Sequence, residues 1–160
     1  MTERHYSKTD LSTPLVTIVT VVYNGESVLE KTILSVLNQT YKNIEYIIID
    51  GQSTDRTLDI IRKYDRRISH WVSEPDDGLY DAMNRAIVLA SGILVGIVNA
   101  GDSYTTDAVE VIVNEYQKQK VIGLYSGDCK IFLNDRDDKW VLFSGRSNLQ
   151  IGRASCRERV

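Results

Sequence analysis

Acidic and amide side chains recur in this sequence directly after apolar runs. The clearest case is the segment Gly92-Ile-Leu-Val-Gly-Ile-Val-Asn-Ala-Gly-Asp102, where an apolar run gives way to small residues and one carboxylate. Open α/β sheets bind ligands just outside the carboxyl ends of their strands. There, a carboxylate on a short loop can offer oxygen ligands to a hard divalent cation. The sequence therefore predicts a metal and phosphate site at Asp102.

Three further polar clusters stand at corresponding places along the chain. They are Tyr23-Asn24-Gly25-Glu26, Asp50, and Glu74-Pro75-Asp76-Asp77. In a parallel sheet these loops open on one edge, where a base, a ribose and a diphosphate can spread, with Asp50 accepting hydrogen bonds from a ring N–H or a sugar hydroxyl. Each cluster alone is explained equally well by helix capping or turn chemistry. Their joint placement favours a nucleotide site.

Two familiar phosphate-binding motifs are missing from the sequence. No Gly-x-Gly-x-x-Gly follows the first apolar run, and no Gly-x-x-x-x-Gly-Lys-Ser/Thr occurs anywhere, which disfavours a dinucleotide dehydrogenase and a P-loop enzyme. A cation at Asp102 is the simplest remaining device for holding phosphate, with a helix N-terminus near Gly78 as a second anion partner. Magnesium or manganese suits a single carboxylate because it retains waters and takes ligands from substrate phosphates.

The elements that position these clusters alternate between strand and helix. Apolar runs predict strands at Leu15–Val22, Ile44–Asp50, Ile68–Ser73 and Ile93–Val98. Helical periodicity follows each run, starting with a capping box at Ser27-Val-Leu-Glu30 and including a face formed by Leu79, Met83, Ala86, Ile87 and Ala90. The alternation predicts an α/β fold with a mostly parallel sheet flanked by helices.

Length and composition place the chain among ordinary globular proteins. Its 160 residues are 42% hydrophobic and 26% charged, and the net charge of −3 argues against a nucleic-acid partner. No apolar run approaches the roughly 18 residues of a membrane span, and the start has no secretory signal, so a cytoplasmic location is expected. Cys129 and Cys156 have neither metal-type spacing nor a nearby histidine.

The domain organisation is expected to be simple. We predict a polar tail at residues 1–13 and one domain at 14–150, which ends in strand-like additions around 122–125, 129–133 and 140–143. The last segment, 151–160, carries three arginines that are out of character with the acidic sequence before it. We expect that it does not belong to the natural reading frame, the alternative being a mobile basic tail.

Four motifs, taken in order, resemble those of a known family. They are Thr17-Ile-Val-Thr-Val-Val-Tyr-Asn24, Ile49-Asp-Gly-Gln-Ser-Thr-Asp55, Ser73-Glu-Pro-Asp-Asp-Gly-Leu-Tyr-Asp-Ala-Met-Asn84 and Val98-Asn-Ala-Gly-Asp102. This order closely resembles the inverting family-two glycosyltransferases of the GT-A fold, especially the bacterial branch that builds exopolysaccharide, capsule and O-antigen units. The resemblance implies a Rossmann-like GT-A sheet that is incomplete at its C-terminus.

The resemblance also implies roles for individual residues. Those expected to bind the nucleotide sugar are Thr20, Tyr23 and Glu26 in the nucleotide pocket, Asp50 on the base (usually uracil or guanine), and Asp76, Asp81 and Asn84 around the sugar and phosphates. Asp102 stands at the last position of the family's Asp-x-Asp motif, which binds manganese or magnesium. Asn99 and Gly101 replace residues that are often acidic, so metal binding without the nucleotide sugar is expected to be weak.

The implied reaction transfers a sugar from a nucleotide-diphosphate sugar to a glycan or lipid-linked acceptor hydroxyl, with inversion. A lipid-linked acceptor would bring the protein peripherally to the inner face of the plasma membrane. The family's catalytic base lies well beyond Asp102, and neither Asp128 nor the turn at 135–138 is a secure candidate. We therefore expect mainly the donor-binding half, with turnover limited or lost; the sequence specifies no oligomeric state.

Two other readings stay open from the sequence. One is a noncatalytic nucleotide-binding or regulatory α/β domain, for example a phosphoacceptor receiver, although Tyr23-Asn24 replaces the acidic pair that a receiver needs after its first strand. The other is a structural domain whose apolar face is completed by a missing partner half.

Overall fold

The computed structural model describes residues 12–119, 129–132 and 140–143. The chain divides into two units, Met1–Gln119 and Lys120–Val160. In the first unit the elements are β1 (Val16–Val22), α1 (Leu29–Leu37), β2 (Ile44–Asp50), α2 (Thr57–Lys63), a 3-10 turn (Asp65–Arg67), β3 (His70–Ser73), α3 (Leu79–Leu89), β4 (Leu94–Ile97) and α4 (Ala108–Gln119).

The four strands of the first unit form one parallel sheet in the order β3-β2-β1-β4. Val16 of β1 lies opposite Ile44 on one side and Leu94 on the other, and Val22 lies opposite Asp50. The chain moves outward from β1 to β3 and then returns to the far side of β1. The predicted parallel sheet is thus confirmed. Its strand order changes direction at β1, and open α/β sheets bind ligands at the carboxyl ends of strands beside such a point.

Apolar clusters cover both faces of this sheet. On one face Ile18 is buried in a cluster that includes Leu29 and Ile33 of α1. On the other face Val19 and Val21 are buried with Ala82 and Ala86 of α3 among their neighbours. Burial on both faces explains why β1 reads as a continuous β-branched run rather than as an alternating one.

The start of α1 differs from the prediction. No side chain caps this helix; instead the N–H groups of Val28 and Leu29 donate to the carbonyl of Gly25 at 3.0 and 2.9 Å. The carboxylate of Glu30 accepts hydrogen bonds from Lys63 Nζ and Tyr64 Oη, both at 2.6 Å. The predicted capping box is wrong because a tertiary contact engages its glutamate.

Helix α3 lies on the sheet through its small side chains. Ala82 and Ala86 are buried, but Leu79 and Ile87, which share the predicted apolar face with Ala86, are 48% and 47% exposed. Small residues let the helix axis approach β1 and β2 closely, and the bulkier side chains are left on its flank. The periodicity located the helix correctly, and Ala86 and Met83 of the predicted face pack against the sheet, but the prediction included Leu79 and Ile87 wrongly and omitted Ala82.

The second unit contains an antiparallel strand pair, β5 (Cys129–Phe132) and β6 (Trp140–Phe143), with Cys129 opposite Phe143. These strands match two of the predicted additions. The predicted strand at 122–125, Asp128, the turn at 135–138 and the segment 151–160 lie outside the described residues, and a single domain from 14 to 150 stays a prediction. Among the helices described, none has the length and apolar character needed to cross a membrane.

Candidate active site

A cavity of about 460 Å³ opens at the carboxyl ends of β1 and β2, against the start of α3. Its lining comprises Val21, Val22, Tyr23, Gly51, Pro75, Asp76, Gly78, Leu79 and Ala82. The volume falls within the roughly 300–1,000 Å³ typical of small-molecule sites. Of the residues predicted to bind the nucleotide sugar, Tyr23 and Asp76 belong to this lining.

Asp50 is the polar centre beneath the strand ends. Its side chain is fully buried, and its carboxylate accepts three hydrogen bonds. Ser53 donates twice, from Oγ to Oδ1 at 2.5 Å and from its backbone N–H to Oδ2 at 3.0 Å, and Ser73 Oγ donates to Oδ2 at 2.7 Å. These bonds satisfy a buried charge and join the loop after β2 to the end of β3. A ligand N–H can reach Asp50 only if Ser53 or Ser73 gives way.

The loops after β1 and β2 are joined by reciprocal hydrogen bonds. The N–H of Asn24 donates to Ser53 Oγ at 2.7 Å, and the N–H of Thr54 donates back to Asn24 Oδ1 at 2.8 Å. The N–H of Gly25 donates to Thr57 Oγ1 at 2.9 Å. The two loops therefore form one rigid rim beside the cavity.

Glu26 and Asp55 extend this rim. The N–H of Glu26 donates to Asp55 Oδ2 at 3.0 Å, while Glu26 Oε2 accepts the N–H of Arg56 at 2.9 Å. Burial alone would raise the pKa of Asp55, but hydrogen bonds from Thr57 and from the Glu26 N–H outweigh it and lower that pKa. Glu26 thus binds the neighbouring loop and is not among the cavity's lining residues.

Thr20 also lies outside the cavity lining. It is fully buried, and its hydroxyl is 2.9 Å from the hydroxyl of Tyr46. Burial raises the pKa of Tyr46 strongly. The structure therefore places Thr20 in the core, and its expected role in binding the nucleotide stays a prediction.

Asp76 reaches the cavity because of two glycines. A Cβ at Gly51 would lie only 2.8 Å from Asp76 Oδ2, so this close approach needs glycine. Asp76 Oδ1 accepts the N–H of Gly78 at 2.9 Å, and Gly78 has φ of +102°, which other residues rarely adopt. The turn that starts α3 therefore fixes Asp76 above Gly51.

The other two residues predicted on α3 are placed differently. Asp81 forms an ion pair with Arg85 at 2.9 Å and accepts the N–H of Asp77 at 3.3 Å. Arg85 also lies 3.8 Å from Glu74. Asn84 is exposed on the same helix. Neither Asp81 nor Asn84 lines the cavity.

Asp102 lies on the exposed loop after β4. Its peptide is fixed by Thr32 of α1, whose hydroxyl donates to the Asp102 carbonyl at 2.7 Å and accepts the N–H of Gly101 at 3.0 Å. Gly101 adopts φ of +100°. Burial, and secondarily the charge of Asp102, raises the pKa of Tyr104 to about 12. The loop is therefore held from α1 while its carboxylate faces solvent.

Oxygen donors at this loop fit a hard divalent ion. Asn99 Oδ1 is buried without a hydrogen-bond partner in the described part of the chain, and Asp102 adds a carboxylate three residues later. No group of three or more His, Cys, Asp or Glu side chains suited to a metal occurs among the described residues. The pair therefore suits an ion that takes its remaining ligands from water and from substrate phosphates.

Two residues of this site, Ser53 and Thr32, were not predicted from the sequence. Ser53 lies within a quoted motif, and its hydroxyl could have been singled out as an Asp50 partner from its spacing of three residues. Thr32 lies inside an amphipathic helix, 70 residues from Asp102 in sequence. Only the folded chain shows that Thr32 supports the loop after β4.

Sequence comparison gives independent information on the family. The profile described as "Glycosyl transferase family 2" matches residues 17–153. An Escherichia coli protein named "UDP-Glc:alpha-D-GlcNAc-diphosphoundecaprenol beta-1,3-glucosyltransferase WfaP" is 36% identical over 113 residues, which cover 70% of this chain and 45% of that protein. The chain spans less than half the length of the curated relatives to which it was matched.

Solved structures share the fold. S. aureus TarS in complex with UDP superposes with a TM-score of 0.62 at 22% identity, over 66% of this chain and 33% of that one. A mannosyltransferase from Pyrobaculum calidifontis, in complex with GDP-Man and Mn²⁺, gives a TM-score of 0.56 at 25% identity, over 65% and 32% of the two chains. Both likenesses agree with the expected GT-A architecture.

Proposed function

Since the chain belongs to glycosyl transferase family 2, we propose that it binds a nucleotide-diphosphate sugar at the carboxyl edge of its parallel sheet. The sugar is transferred, with inversion, to a hydroxyl of a glycan or lipid-linked acceptor. The observation that carries this proposal is the placement of the cavity and the Asp102 loop at adjacent strand ends, on either side of β1. This chain supplies mainly the donor-binding half of the reaction.

The nucleoside is assigned to the cavity side of β1. Tyr23 is 65% exposed there and offers a broad aromatic face on which a base can stack. Asp50 accepts a ring N–H once the Ser53 hydroxyl rotates away from Oδ1, because the carboxylate keeps its two bonds at Oδ2. The donor sugar is assigned to the start of α3, next to the nucleoside, with Asp76 at the cavity wall and Asp81 and Asn84 further along the helix.

The diphosphate is assigned to the Asp102 side of β1. Asp102, together with Asn99 Oδ1, which has no hydrogen-bond partner in the described part of the chain, would hold a manganese or magnesium ion. Such an ion would supply positive charge for the departing nucleoside diphosphate. The Mn²⁺ in the Pyrobaculum mannosyltransferase complex supports this assignment.

The reaction itself is a single displacement at the anomeric carbon. The acceptor oxygen forms a bond to that carbon while the bond to the diphosphate oxygen breaks, and a carboxylate base takes the acceptor's proton. We assign the base to none of the described residues. The name of the Escherichia coli relative, which includes a diphosphoundecaprenol acceptor, supports a lipid-linked acceptor and a place at the inner membrane face.

Thermal unfolding with UDP, GDP, CDP and ADP, each with and without Mn²⁺, tests the donor-binding role. We expect one nucleotide to raise the melting temperature, and to raise it further with Mn²⁺. A ligand at a hundred times its Kd adds about 2.7 kcal/mol to the unfolding free energy. If circular dichroism shows a folded chain and no nucleotide shifts its melting temperature, the proposal is contradicted.

A further inference from the structure

Helix α1 carries a row of polar side chains on a buried face. Thr32, Ser35 and Gln39 follow one another at spacings of three and four residues, which places them on one side of the helix and its C-terminal extension. Thr32 and Gln39 are fully buried, and Ser35 is half-buried. Polar groups inside a protein need hydrogen-bond partners. Ser35 Oγ and Gln39 Nε2 donate to the carbonyls of Thr32 and Ser35 on the same helix, at 2.8 and 2.9 Å, and the other bonds of the row go to one neighbouring segment.

That segment is the backbone from Gly101 to Val109, which comprises most of the loop after β4 and the start of α4. Thr32 bonds Gly101 and Asp102, as described above. Ser35 Oγ accepts the N–H of Tyr104 at 3.3 Å. Gln39 donates through Nε2 to the carbonyl of Thr105 at 2.6 Å and accepts the N–H of Val109 through Oε1 at 3.0 Å. The row therefore holds the loop along its whole length.

The contacts made by Thr32 bear directly on Asp102. One hydroxyl bonds the N–H of Gly101 and the carbonyl of Asp102, and so fixes the peptide unit between them on both sides. The bond from the Asp102 N–H to the Asn99 carbonyl, at 3.0 Å, closes a turn, and the N–H of Ala100 ties the start of that turn to the Val21 carbonyl of β1 at 3.2 Å. Helix α1 adds the bonds at Gly101 and Asp102, the end of the turn that carries the carboxylate. The N–H groups that begin α1 donate to the carbonyl of Gly25, in the loop after β1.

We propose that Thr32, Ser35 and Gln39 are positioning residues that hold Asp102 where a metal-bound diphosphate requires it. Thr32 is the principal one, because it is the only one of the three whose side chain hydrogen-bonds the backbone of Gly101 and Asp102. The inference rests on the proposed function. Groups that orient a metal ligand typically change metal affinity by about 10-fold to 100-fold when removed.

Thr32→Val tests this role, because it removes the hydroxyl while nearly keeping the shape. The probes are UDP and GDP, titrated calorimetrically into the folded protein with and without Mn²⁺. We expect the Mn²⁺-dependent gain in affinity to fall by about tenfold or more, while binding without metal is unchanged. Thr32→Ser, which keeps the hydroxyl, should restore the gain.

Thr17→Val is a matched control. Thr17 is also fully buried, and its hydroxyl donates to Glu45 at 2.5 Å and accepts the N–H of Gly92 at 2.9 Å. It lies near the amino end of β1, at the opposite edge of the sheet from Asp102. We expect Thr17→Val to lower the melting temperature but to keep the full Mn²⁺-dependent gain.

The outcomes separate this inference from the proposed function. If neither UDP nor GDP binds the wild-type chain with a Mn²⁺-dependent gain, the positioning role fails; if CDP and ADP also leave the melting temperature of the folded chain unchanged, the proposed function fails with it. Suppose instead that the wild type shows the Mn²⁺-dependent gain in nucleotide affinity while Thr32→Val or Ser35→Ala keeps that gain in full. In that case only the positioning role is overturned. Ser35→Ala, expected to lose part of the gain, serves as the test if Thr32→Val does not fold. An equal loss in Thr17→Val also overturns the role, since the effect is then global.

Discussion

Asp50 and Asp102 both follow or end a strand of the sheet, but their surroundings give them different capacities. Asp50 is enclosed and already accepts three hydrogen bonds from Ser53 and Ser73. Asp102 is exposed, and within the described residues its hydrogen bonds are made through its backbone. A buried carboxylate that joins loops suits the recognition of one N–H, whereas an exposed carboxylate on a fixed loop suits a cation.

Asp50→Asn tests whether the Asp50 carboxylate stabilises the fold by joining the loop after β2 to the end of β3. The amide keeps the shape but has one oxygen acceptor instead of two, so one of the serine bonds is lost in the core. We expect a loss of about 1–3 kcal/mol in the free energy of unfolding, measured with urea. Nucleotide affinity should fall equally with and without Mn²⁺; a loss confined to the metal-containing titration would contradict the assignment of Asp50 to the base.

Glu45 gives a pH-dependent prediction at the opposite sheet edge. Burial acts to raise its pKa, but hydrogen bonds from Thr17 and Ser91 outweigh burial and lower it. A lowered pKa in the folded state means that Glu45 stabilises the fold above the unfolded value of about 4.3, and that this contribution disappears as the pH falls through the folded pKa.

Urea unfolding of the wild type and of Glu45→Gln, at pH 7 and again near pH 3.5, measures this contribution. The variant should be less stable at pH 7, and its difference from the wild type should shrink in acid. If acid lowers the free energy of unfolding of the wild type and of Glu45→Gln by the same amount, Glu45 is not the source of the pH dependence.

At the scale of elements, the central strands were the most predictable. The bounds of β2 match the prediction, and β1 differs by one residue, because strands buried on both faces leave a continuous apolar run. Within the described sheet β3 and β4 are the outer strands, and both are shorter than predicted, at His70–Ser73 and Leu94–Ile97. An apolar run does not indicate how many of its residues pair with a neighbouring strand.

The links between elements could not be predicted from local patterns. Parallel strands bring all four predicted clusters to one edge, so the edge itself followed from the sequence. However, Asn24 bonds Ser53 across 29 positions, and Thr32 bonds Asp102 across 70. Periodicity reports only which face of an element is apolar, so contacts of this kind depend on the completed topology.

Gly51 and Gly78 allow a paired test of the turn that leads into α3. At Gly78 nothing lies within 4 Å of an added Cβ, so any cost of Gly78→Ala comes from φ of +102°. We expect a loss of about 1–3 kcal/mol in the free energy of unfolding. At Gly51 the added Cβ meets only the flexible end of Asp76. Gly51→Ala should therefore keep the free energy of unfolding but lower the nucleotide affinity, as measured by calorimetry. For Gly78→Ala, an unfolding curve equal to that of the wild type would contradict the argument from the positive φ of Gly78.

At the scale of the whole molecule, the strand order decides where the two halves of the proposed donor site meet. β1 lies between β2 and β4, so the loops after β1 and β2, proposed to bind the nucleoside, adjoin the same strand as the Asp102 loop. Helix α1 follows β1 and supports both, through Gly25 at its start and Thr32 in its second turn. Metal and nucleotide are therefore expected to strengthen each other's binding by the same factor.

Crystals grown with Mn²⁺ and either UDP or GDP offer the most direct test of the donor site. The measurement is the anomalous signal of manganese relative to the diphosphate and to Asp102. The account predicts a manganese peak about 2.0–2.6 Å from an Asp102 carboxylate oxygen, the range of hard divalent ions, with the diphosphate on its other side and the base toward Tyr23. A nucleotide bound at this edge without manganese beside Asp102, or a nucleotide bound elsewhere on the chain, would contradict it.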